Sequence, residues 1–304
     1  MSTKIDIISG FLGSGKTTLI KKLITENLKG EKAAIIENEF GEIAIDGSIL
    51  RETSMNIKEI KSGCICCSLV GDFKKAIIDI LNTYSPDRII IEPSGVAKLS
   101  DVIKSCRNLE KEYDIKINAV ITIVDALNAE MYLNNFGEFY KDQIEHANTI
   151  IISKAQQHID DKILSLIRKI NSNSEIISSP WEKTSFEEII KNPGKESYTE
   201  FESEIIKEEH HHHKADQVFD TWGLESDKIF SQVKIDDFFE NVNNADEYGL
   251  ILRAKGLLKV EEGKWLEINY TPGEFRKKIT NPQKCSLLCF IGRELNKSKL
   301  EKLF

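Results

Sequence analysis

Two short stretches of this 304-residue chain combine residue types and spacing that could do chemistry. The first, GFLGSGKT from Gly10 to Thr17, has the pattern G-x-x-x-x-G-K-T and is called the P-loop below. In such a loop, glycines let backbone N–H groups wrap phosphates, the lysine reaches the terminal phosphates, and the threonine hydroxyl binds Mg²⁺. The stretch therefore predicts nucleotide binding. The residues expected to contact the nucleotide here are Gly10, Gly13, Ser14, Gly15, Lys16, Thr17 and Thr18.

The second stretch, SGCICCS, places three of the six cysteines at Cys64, Cys66 and Cys67. This spacing is too tight for the C-x-x-C pairs of a zinc ribbon, and adjacent cysteines pair poorly with each other. Thiolates are soft ligands that suit Zn²⁺, Co²⁺ or Cu⁺ better than Mg²⁺. The cluster is either a transition-metal site or a set of small buried apolar side chains.

A P-loop protein also needs an acidic residue at the end of a neighbouring strand, where it supports the metal ion of the nucleotide. Glu92, in RIIIEPSG, fits this position. Its carboxylate and the ammonium of Lys16 are expected to be catalytic groups. Asp125, at the end of ITIVD, is a weaker candidate for the same neighbourhood. Its alternative role is the N-cap of the following helix.

The elements that must position these residues alternate in type through the first half of the chain. Apolar, β-branched runs predict strands buried on both faces of a parallel sheet: Lys4–Ser9, Ala33–Glu37, Arg88–Glu92, Ala119–Asp125, Thr149–Ser153 and Glu175–Ser178. Helical periodicity lies between them, for example over Thr17–Leu28, Asp72–Leu81 and Asp160–Asn171. This βαβ series predicts a doubly wound, mainly parallel α/β domain, with the cysteines between its second and third strands.

The pattern changes after this domain, which we predict to span residues 1–190. Residues 191–215 form a polar linker containing His210–His213, which either bind metal weakly or are incidental to a disordered segment. Residues 216–304 predict a small α+β domain, with strands at Ile251–Val260, Lys264–Tyr270 and Cys285–Gly292 and helices at Lys234–Val242 and Asn296–Phe304. The isolated Cys106, Cys285 and Cys289 are expected in the core.

Composition narrows the class of protein. Hydrophobic residues make up 40% and charged residues 30% of the chain, as in ordinary globular proteins, and the net charge of −8 gives no electrostatic case for nucleic acid binding. No apolar run approaches the roughly 18 residues needed to span a bilayer, and no signal peptide is visible. We therefore expect a cytoplasmic protein with reduced cysteines and no membrane partner.

The motifs GFLGSGKTT, ENEFG, GCICC, EPSGVA and VDA, in this order, resemble those of the CobW-type metal-handling P-loop GTPases, relatives of HypB and UreG. The C-terminal RAKGLLKV, GKWLEINYTPG and LLCFIGREL resemble the small domain that follows the GTPase domain in that family. The resemblance implies slow GTP hydrolysis coupled to delivery of Zn²⁺ or Co²⁺ to a client metalloprotein or a cofactor-synthesis enzyme. The alternative is a nucleotide-regulated metal store or sensor with negligible turnover.

The resemblance also suggests roles for acidic residues. Glu37 and Glu42 match the family's ENEFGE stretch and would add metal ligands to Cys64, Cys66 and Cys67. A solvated acidic loop is the alternative for these two glutamates. Asp46 lies where related GTPases place a carboxylate that orients the attacking water, although an aspartate before Gly47 also suits a turn.

The base-recognition motif departs from the family. Guanine-specific GTPases carry Asn-Lys-x-Asp after this strand, whereas this chain has Ser153-Lys154-Ala155-Gln156. The aliphatic stem of Lys154 can still cover one face of the base. An aspartate accepts two hydrogen bonds from the guanine edge, but the amide of Gln156 offers one acceptor and one donor group. GTP remains the expected nucleotide, with ATP as the alternative.

Overall fold

The computed structural model describes residues 2–27, 31–38, 57–62, 69–155, 160–178, 181–190, 215–242 and 245–304. Within these ranges the chain forms two compact units, one in residues 2–190 and the other in residues 215–304. Several predicted site residues lie outside the described residues: Glu42, Asp46, Cys64, Cys66, Cys67, Gln156 and His210–His213.

Strands and helices alternate through the first unit. In chain order they are β1 (Thr3–Gly10), α1 (Lys16–Asn27), β2 (Ala33–Asn38), β3 (Ile57–Ser62), α2 (Leu69–Tyr84), β4 (Arg88–Glu92), α3 (Leu99–Glu110), β5 (Ile115–Asp125), α4 (Ala129–Glu145), β6 (Thr149–Ser153), α5 (Asp161–Ile170), β7 (Glu175–Ile177) and α6 (Phe186–Ile190). The strands form one sheet in the order β3-β2-β4-β1-β5-β6-β7, and each neighbouring pair is parallel. This confirms the predicted doubly wound fold.

The central strands are buried along almost their whole length. Every residue of β6 is buried, and Ile5, Ile7 and Ile8 of β1 have no exposed surface. On one face, the apolar side of α1 packs over Ile8 and its neighbours in the sheet. Near-continuous apolar runs are what strands covered on both faces require, which is why these strands could be predicted.

Strand β3 was not predicted, and it changes where the cysteines lie. Its sequence, IKEIKS, is mostly charged or polar, as is common for a strand at the edge of a sheet. The prediction that the cysteines fall between the second and third strands is therefore wrong. They follow the third strand directly, because β3 ends at Ser62, two residues before Cys64.

A buried ionic cluster joins the amino ends of the strands. The guanidinium of Arg88 donates to Asp6 and to Glu31, with Nε 2.6 Å from Glu31 Oε2. Asn118 is the extra residue of a bulge in β5, and its Nδ2 donates to Asp6 Oδ1 at 2.6 Å. Burial raises the pKa of Asp6, whereas the hydrogen bond from Arg88 lowers the pKa of Glu31. The cluster fixes the end of the sheet opposite the P-loop.

The second unit is a helix-covered antiparallel sheet. Its elements are α7 (Ala215–Val218), β8 (Asp220–Ser226), α8 (Gln232–Asn241), α9 (Ala245–Tyr248), β9 (Leu250–Lys259), β10 (Trp265–Thr271), β11 (Glu274–Ile279), β12 (Ser286–Arg293) and α10 (Lys297–Leu303). The strand order is β11-β10-β9-β12-β8. Aromatic side chains of α8, including Phe238 and Phe239, pack with Phe290 of β12 in the core. The small α+β domain is confirmed, and β8 and β11 were not predicted.

The isolated cysteines differ in burial. Cys106 and Cys289 are buried, as predicted. The prediction for Cys285 is wrong, because this residue precedes β12 and is only half-buried. Its thiol lies 3.1 Å from Glu225 Oε1, and this hydrogen bond raises the pKa of the thiol.

Candidate functional site

The P-loop runs from the end of β1 into the first turn of α1, and its shape depends on glycine. Gly10 has φ 144°, and a Cβ there would lie 2.6 Å from the carbonyl oxygen of Ile123. Gly13 and Gly15 have φ 70° and 110°, in the region that favours glycine. Between them, Ser14 N donates to Phe11 O at 3.2 Å and closes the turn. A loop of this shape lets backbone N–H groups bind an anion at the N-terminus of α1.

Lys16 and Thr17 begin α1. The Lys16 side chain is buried, and its Nζ donates to the carbonyl oxygens of Gly10 at 2.9 Å and Phe11 at 3.3 Å. Its ammonium thus lies over the loop that would hold the phosphates. Thr18, in the same turn, is exposed.

Glu92 and Thr17 meet at the carboxyl end of the sheet. Thr17 Oγ1 donates to Glu92 Oε1 at 3.1 Å, which joins the start of α1 to the end of β4. Glu37 on β2 is in register with Glu92 on the adjacent strand and is buried. A hydroxyl and two carboxylates supply hard oxygen donors, the chemistry that Mg²⁺ prefers, so the residues present fit that ion.

The segment after Glu92 touches the P-loop directly. A Cβ placed on Gly95 would lie 2.8 Å from Leu12 N and 3.0 Å from Leu12 Cα. Real Cβ atoms do not approach backbone this closely, so glycine is required for the contact. The two loops are therefore packed backbone against backbone.

On the other side of the P-loop, Ser153 and Lys154 end β6. Ser153 Oγ donates to Ser14 O at 2.7 Å. Ser153 is the first residue of the stretch that replaces the family's base-recognition motif, and this bond joins the end of β6 to the P-loop. In the sequence Ser153 stands out only as a mismatch to the base motif, so this contact was not predicted. Lys154 has φ 55°, and its Nζ lies 3.0 Å from Asp125 Oδ2.

Asp125 does not serve as the helix N-cap. Its carboxylate accepts from Leu127 N and from Asn128 Nδ2, both at 3.0 Å, in addition to pairing with Lys154. The N-cap position of α4 is occupied by Asn128. Asp125 therefore orders the turn that leads from β5 into α4, beside the residues of the base motif.

An aromatic cluster supports the P-loop from below. The Phe11 ring lies 4.5 Å from the Tyr132 ring, and 5.6 Å from the rings of both Phe136 and Tyr140. These three residues recur every fourth position of α4, which is kinked at Phe136. Burial raises the pKa of Tyr140 well above its ordinary value, so this hydroxyl stays neutral. The spacing was a usable sequence signal for this contact.

Two features are absent from the described residues. In those ranges, no three His, Cys, Asp or Glu side chains come together in a way that could hold a metal ion. Nor does any helix in the described part of the chain have the length and apolar character needed to cross a membrane. The cysteine cluster lies outside these ranges.

Comparison with known proteins gives matches along both units. Residues 4–178 match the CobW/HypB/UreG nucleotide-binding domain, and residues 219–304 match the cobalamin synthesis protein cobW C-terminal domain. The zinc chaperone YjiA of Escherichia coli is 31% identical over 181 residues, covering 57% of this chain and 56% of the relative. The zinc-regulated GTPase metalloprotein activator 1 of Schizosaccharomyces pombe is 24% identical over a 359-residue alignment, covering 96% and 83%.

Among solved structures, Zn(II)-bound YjiA GTPase from E. coli aligns with a TM-score of 0.48 and 22% identity, covering 100% of this chain and 98% of that one. With the bacterial zinc chaperones, the matched region spans about half of each relative's length.

Proposed function

The chain belongs to the CobW/HypB/UreG family, and we propose that it is a GTP-hydrolysing metallochaperone that delivers Zn²⁺ or Co²⁺ to a client metalloprotein or cofactor-synthesis enzyme. The observation that carries the proposal is the junction at the carboxyl end of the sheet. There the P-loop residue Thr17 is hydrogen-bonded to Glu92, and Glu92 is in register with Glu37. The carboxyl end of the sheet thus places the phosphate site next to Glu37, where the segment that leads to the cysteines begins.

In the proposed reaction, the backbone of the P-loop wraps the phosphates and Lys16 exchanges its carbonyl partners for phosphate oxygens. Thr17 and Glu92 would hold Mg²⁺, which would supply positive charge beside the terminal phosphate. Asp46 orients the attacking water. Thr17 and Glu92 meet at the carboxyl end of β4, and ligands bind at the carboxyl ends of the strands in open α/β sheets.

The transition metal is cargo in this proposal, held by Cys64, Cys66 and Cys67 with Glu37 and Glu42 as further ligands. Strand pairing supports it, because Glu37 and Asn38 at the end of β2 are in register with the last two residues of β3. Neighbouring strands lie about 4.8 Å apart, so a segment leaving β3 starts within one strand of Glu37. Thiolates give this set the softness that Zn²⁺ and Co²⁺ favour.

For the base, we propose GTP, with ATP as the competing nucleotide. Lys154 is positioned by its ion pair with Asp125, so its stem is held beside the end of β6. Ser153 Oγ donates to Ser14 O of the P-loop. Discrimination between guanine and adenine then depends on Gln156.

The proposal is tested by titrating zinc into the protein loaded with GDP and, separately, with a non-hydrolysable GTP analogue. Because the segment from Glu37 to Leu69 connects the two sites, we expect zinc affinities that differ about five- to 150-fold between the two states, the usual range of allosteric coupling. A matched triple variant, Cys64→Ser, Cys66→Ser and Cys67→Ser, should keep nucleotide binding and lose tight zinc binding. Proton release on zinc binding is expected in the parent alone.

Different outcomes separate the alternatives. Equal zinc affinities in both nucleotide states would refute the metallochaperone mechanism. If the protein binds zinc but hydrolyses GTP at a negligible rate, whether or not zinc is present, the store or sensor would be favoured. A triple variant that binds zinc like the parent would show that the cysteines are packing residues.

A further inference from the structure

Gln143 of α4 is buried completely and bonds to the segment that follows Glu92. Its Nε2 donates to Gly95 O at 3.1 Å and to Ala97 O at 2.9 Å. Its own backbone carbonyl accepts a 2.6 Å hydrogen bond from Thr122 Oγ1 of β5. One residue thus ties the central sheet, α4 and this segment together.

The segment, residues 93–98, is held against the P-loop at two points. It starts directly after Glu92, whose carboxylate accepts from Thr17, and its Gly95 contacts the backbone of Leu12. Both contacts lie on the phosphate side of the sheet. Moving the segment would therefore move groups that flank the terminal phosphate.

The far end of the segment is also bound to α4. Lys98 Nζ lies 2.6 Å from Glu138 Oε1, and Ser100 N donates to Asp142 Oδ1 at 3.1 Å. These contacts fix where the chain enters α3, but they lie beyond the stretch that touches the P-loop. Gln143 is the α4 side chain that reaches Gly95 itself.

We propose that Gln143 is a positioning residue for nucleotide hydrolysis: by holding the carbonyls of Gly95 and Ala97, it keeps the 93–98 segment pressed on the P-loop. This inference rests on the proposed function. A diphosphate would be gripped mainly by the P-loop backbone, whose turn is closed by its own hydrogen bond from Ser14 N to Phe11 O. The Thr17–Glu92 pair lies beside the segment, and a terminal phosphate bound with Mg²⁺ at that pair would lie there too. Loss of Gln143 should therefore affect turnover more than diphosphate binding.

The test is steady-state GTPase kinetics and GDP affinity of Gln143→Met, which keeps the side-chain length but donates no hydrogen bond. Misplacing a catalytic segment by about 1 Å can cost up to about a hundredfold, so we expect kcat to fall about ten- to hundredfold while GDP affinity changes less than about threefold. The matched control is Asn171→Leu. Asn171 Nδ2 donates to three carbonyls at and just after the C-terminal end of α4, those of Ile144, Glu145 and Ala147.

The control loses the same kind of buried bonds close to Gln143 but leaves the bonds from Gln143 to Gly95 and Ala97 in place. Its kcat should therefore stay near the parent's even if its melting temperature falls. Equal loss of kcat in both variants, or an unchanged kcat in Gln143→Met, would overturn the inference. If Gln143→Met does not fold, Gln143→Glu replaces it. A neutral carboxyl donates one hydrogen bond and a carboxylate none, so kcat of this variant should fall with rising pH relative to the parent.

A Gln143→Glu variant with the parent's kcat at every pH would also overturn the inference. Absence of GTP turnover by the parent protein would overturn the proposed function and this inference together. Normal parent turnover with unaffected Gln143 variants would overturn the inference alone.

Discussion

The close contact between Gly95 and Leu12 leads to a sharp prediction for Gly95→Ala. The added Cβ would lie 2.8 Å from Leu12 N, 2.9 Å from its Cδ2 and 3.0 Å from its Cα. The side-chain atom can rotate away, but the overlap with the two backbone atoms is relieved only if the P-loop itself shifts. Overpacking of this kind costs about 1–3 kcal/mol, which corresponds to about five- to 150-fold in an equilibrium constant.

This cost should appear in nucleotide binding more than in stability. The empty P-loop can shift to relieve the overlap, whereas a bound phosphate requires its N–H groups in their original positions. We therefore expect Gly95→Ala to weaken binding of GDP and of a non-hydrolysable GTP analogue about five- to 150-fold, measured by isothermal titration calorimetry. The melting temperature of the empty protein should change little.

The matched control is Gly137→Ala in α4. A Cβ at Gly137 meets no atom within 4 Å, so this substitution adds the same methyl group without a clash. Its nucleotide affinity should equal that of the parent. Parental affinity and parental melting temperature in Gly95→Ala would refute the reasoning, because the methyl group would then have found room that the packing of the two loops denies it.

Three further predictions follow from the site and the ionic cluster. Lys16→Ala should abolish hydrolysis and weaken GTP binding strongly, because the phosphates lose their facing cation, and unchanged turnover would contradict the P-loop assignment. Gln156→Asp should raise the ratio of ATP to GTP dissociation constants about ten- to hundredfold by adding a second acceptor for the guanine edge; an unchanged ratio would mean that the base is recognised elsewhere. The hydrogen bond from Arg88 lowers the pKa of Glu31, so Glu31 stabilises the fold above the usual glutamate pKa and loses this contribution as pH falls through the lowered value. Glu31→Gln should therefore reduce the free energy of unfolding in urea more at pH 7 than at about pH 3.5, and equal reductions would argue against the linkage.

The sequence allowed the inner strands to be predicted well, and the edges poorly. Strands β4 and β6 match their predicted limits at both ends, because strands covered on two faces must be apolar along their length. The three missed strands, β3, β8 and β11, each form an edge of a sheet. Edge strands carry charged residues that oppose unwanted pairing, so the apolar pattern that reveals an inner strand is weak in them.

The candidate site shows the same division between local and distant information. The P-loop could be predicted because its residues are contiguous and each has a local role. The bond from Ser153 to Ser14 joins positions 139 residues apart, and nothing in the local sequence of either indicates it. Gln143 is similar, since a single glutamine in an amphipathic helix gives no sign that its amide will bond two carbonyls of a distant loop.

The hydrogen bonds of Lys16 have a consequence for which anions the protein admits. Its ammonium donates to the carbonyls of Gly10 and Phe11. An incoming anion must therefore replace existing partners, and its gain is the difference between new bonds and old ones. Chloride or sulfate, which can meet only a few of the loop's donors, gains little from that exchange. A polyphosphate chain can meet Lys16 and the backbone amides together, so we expect this exchange to favour it over small anions.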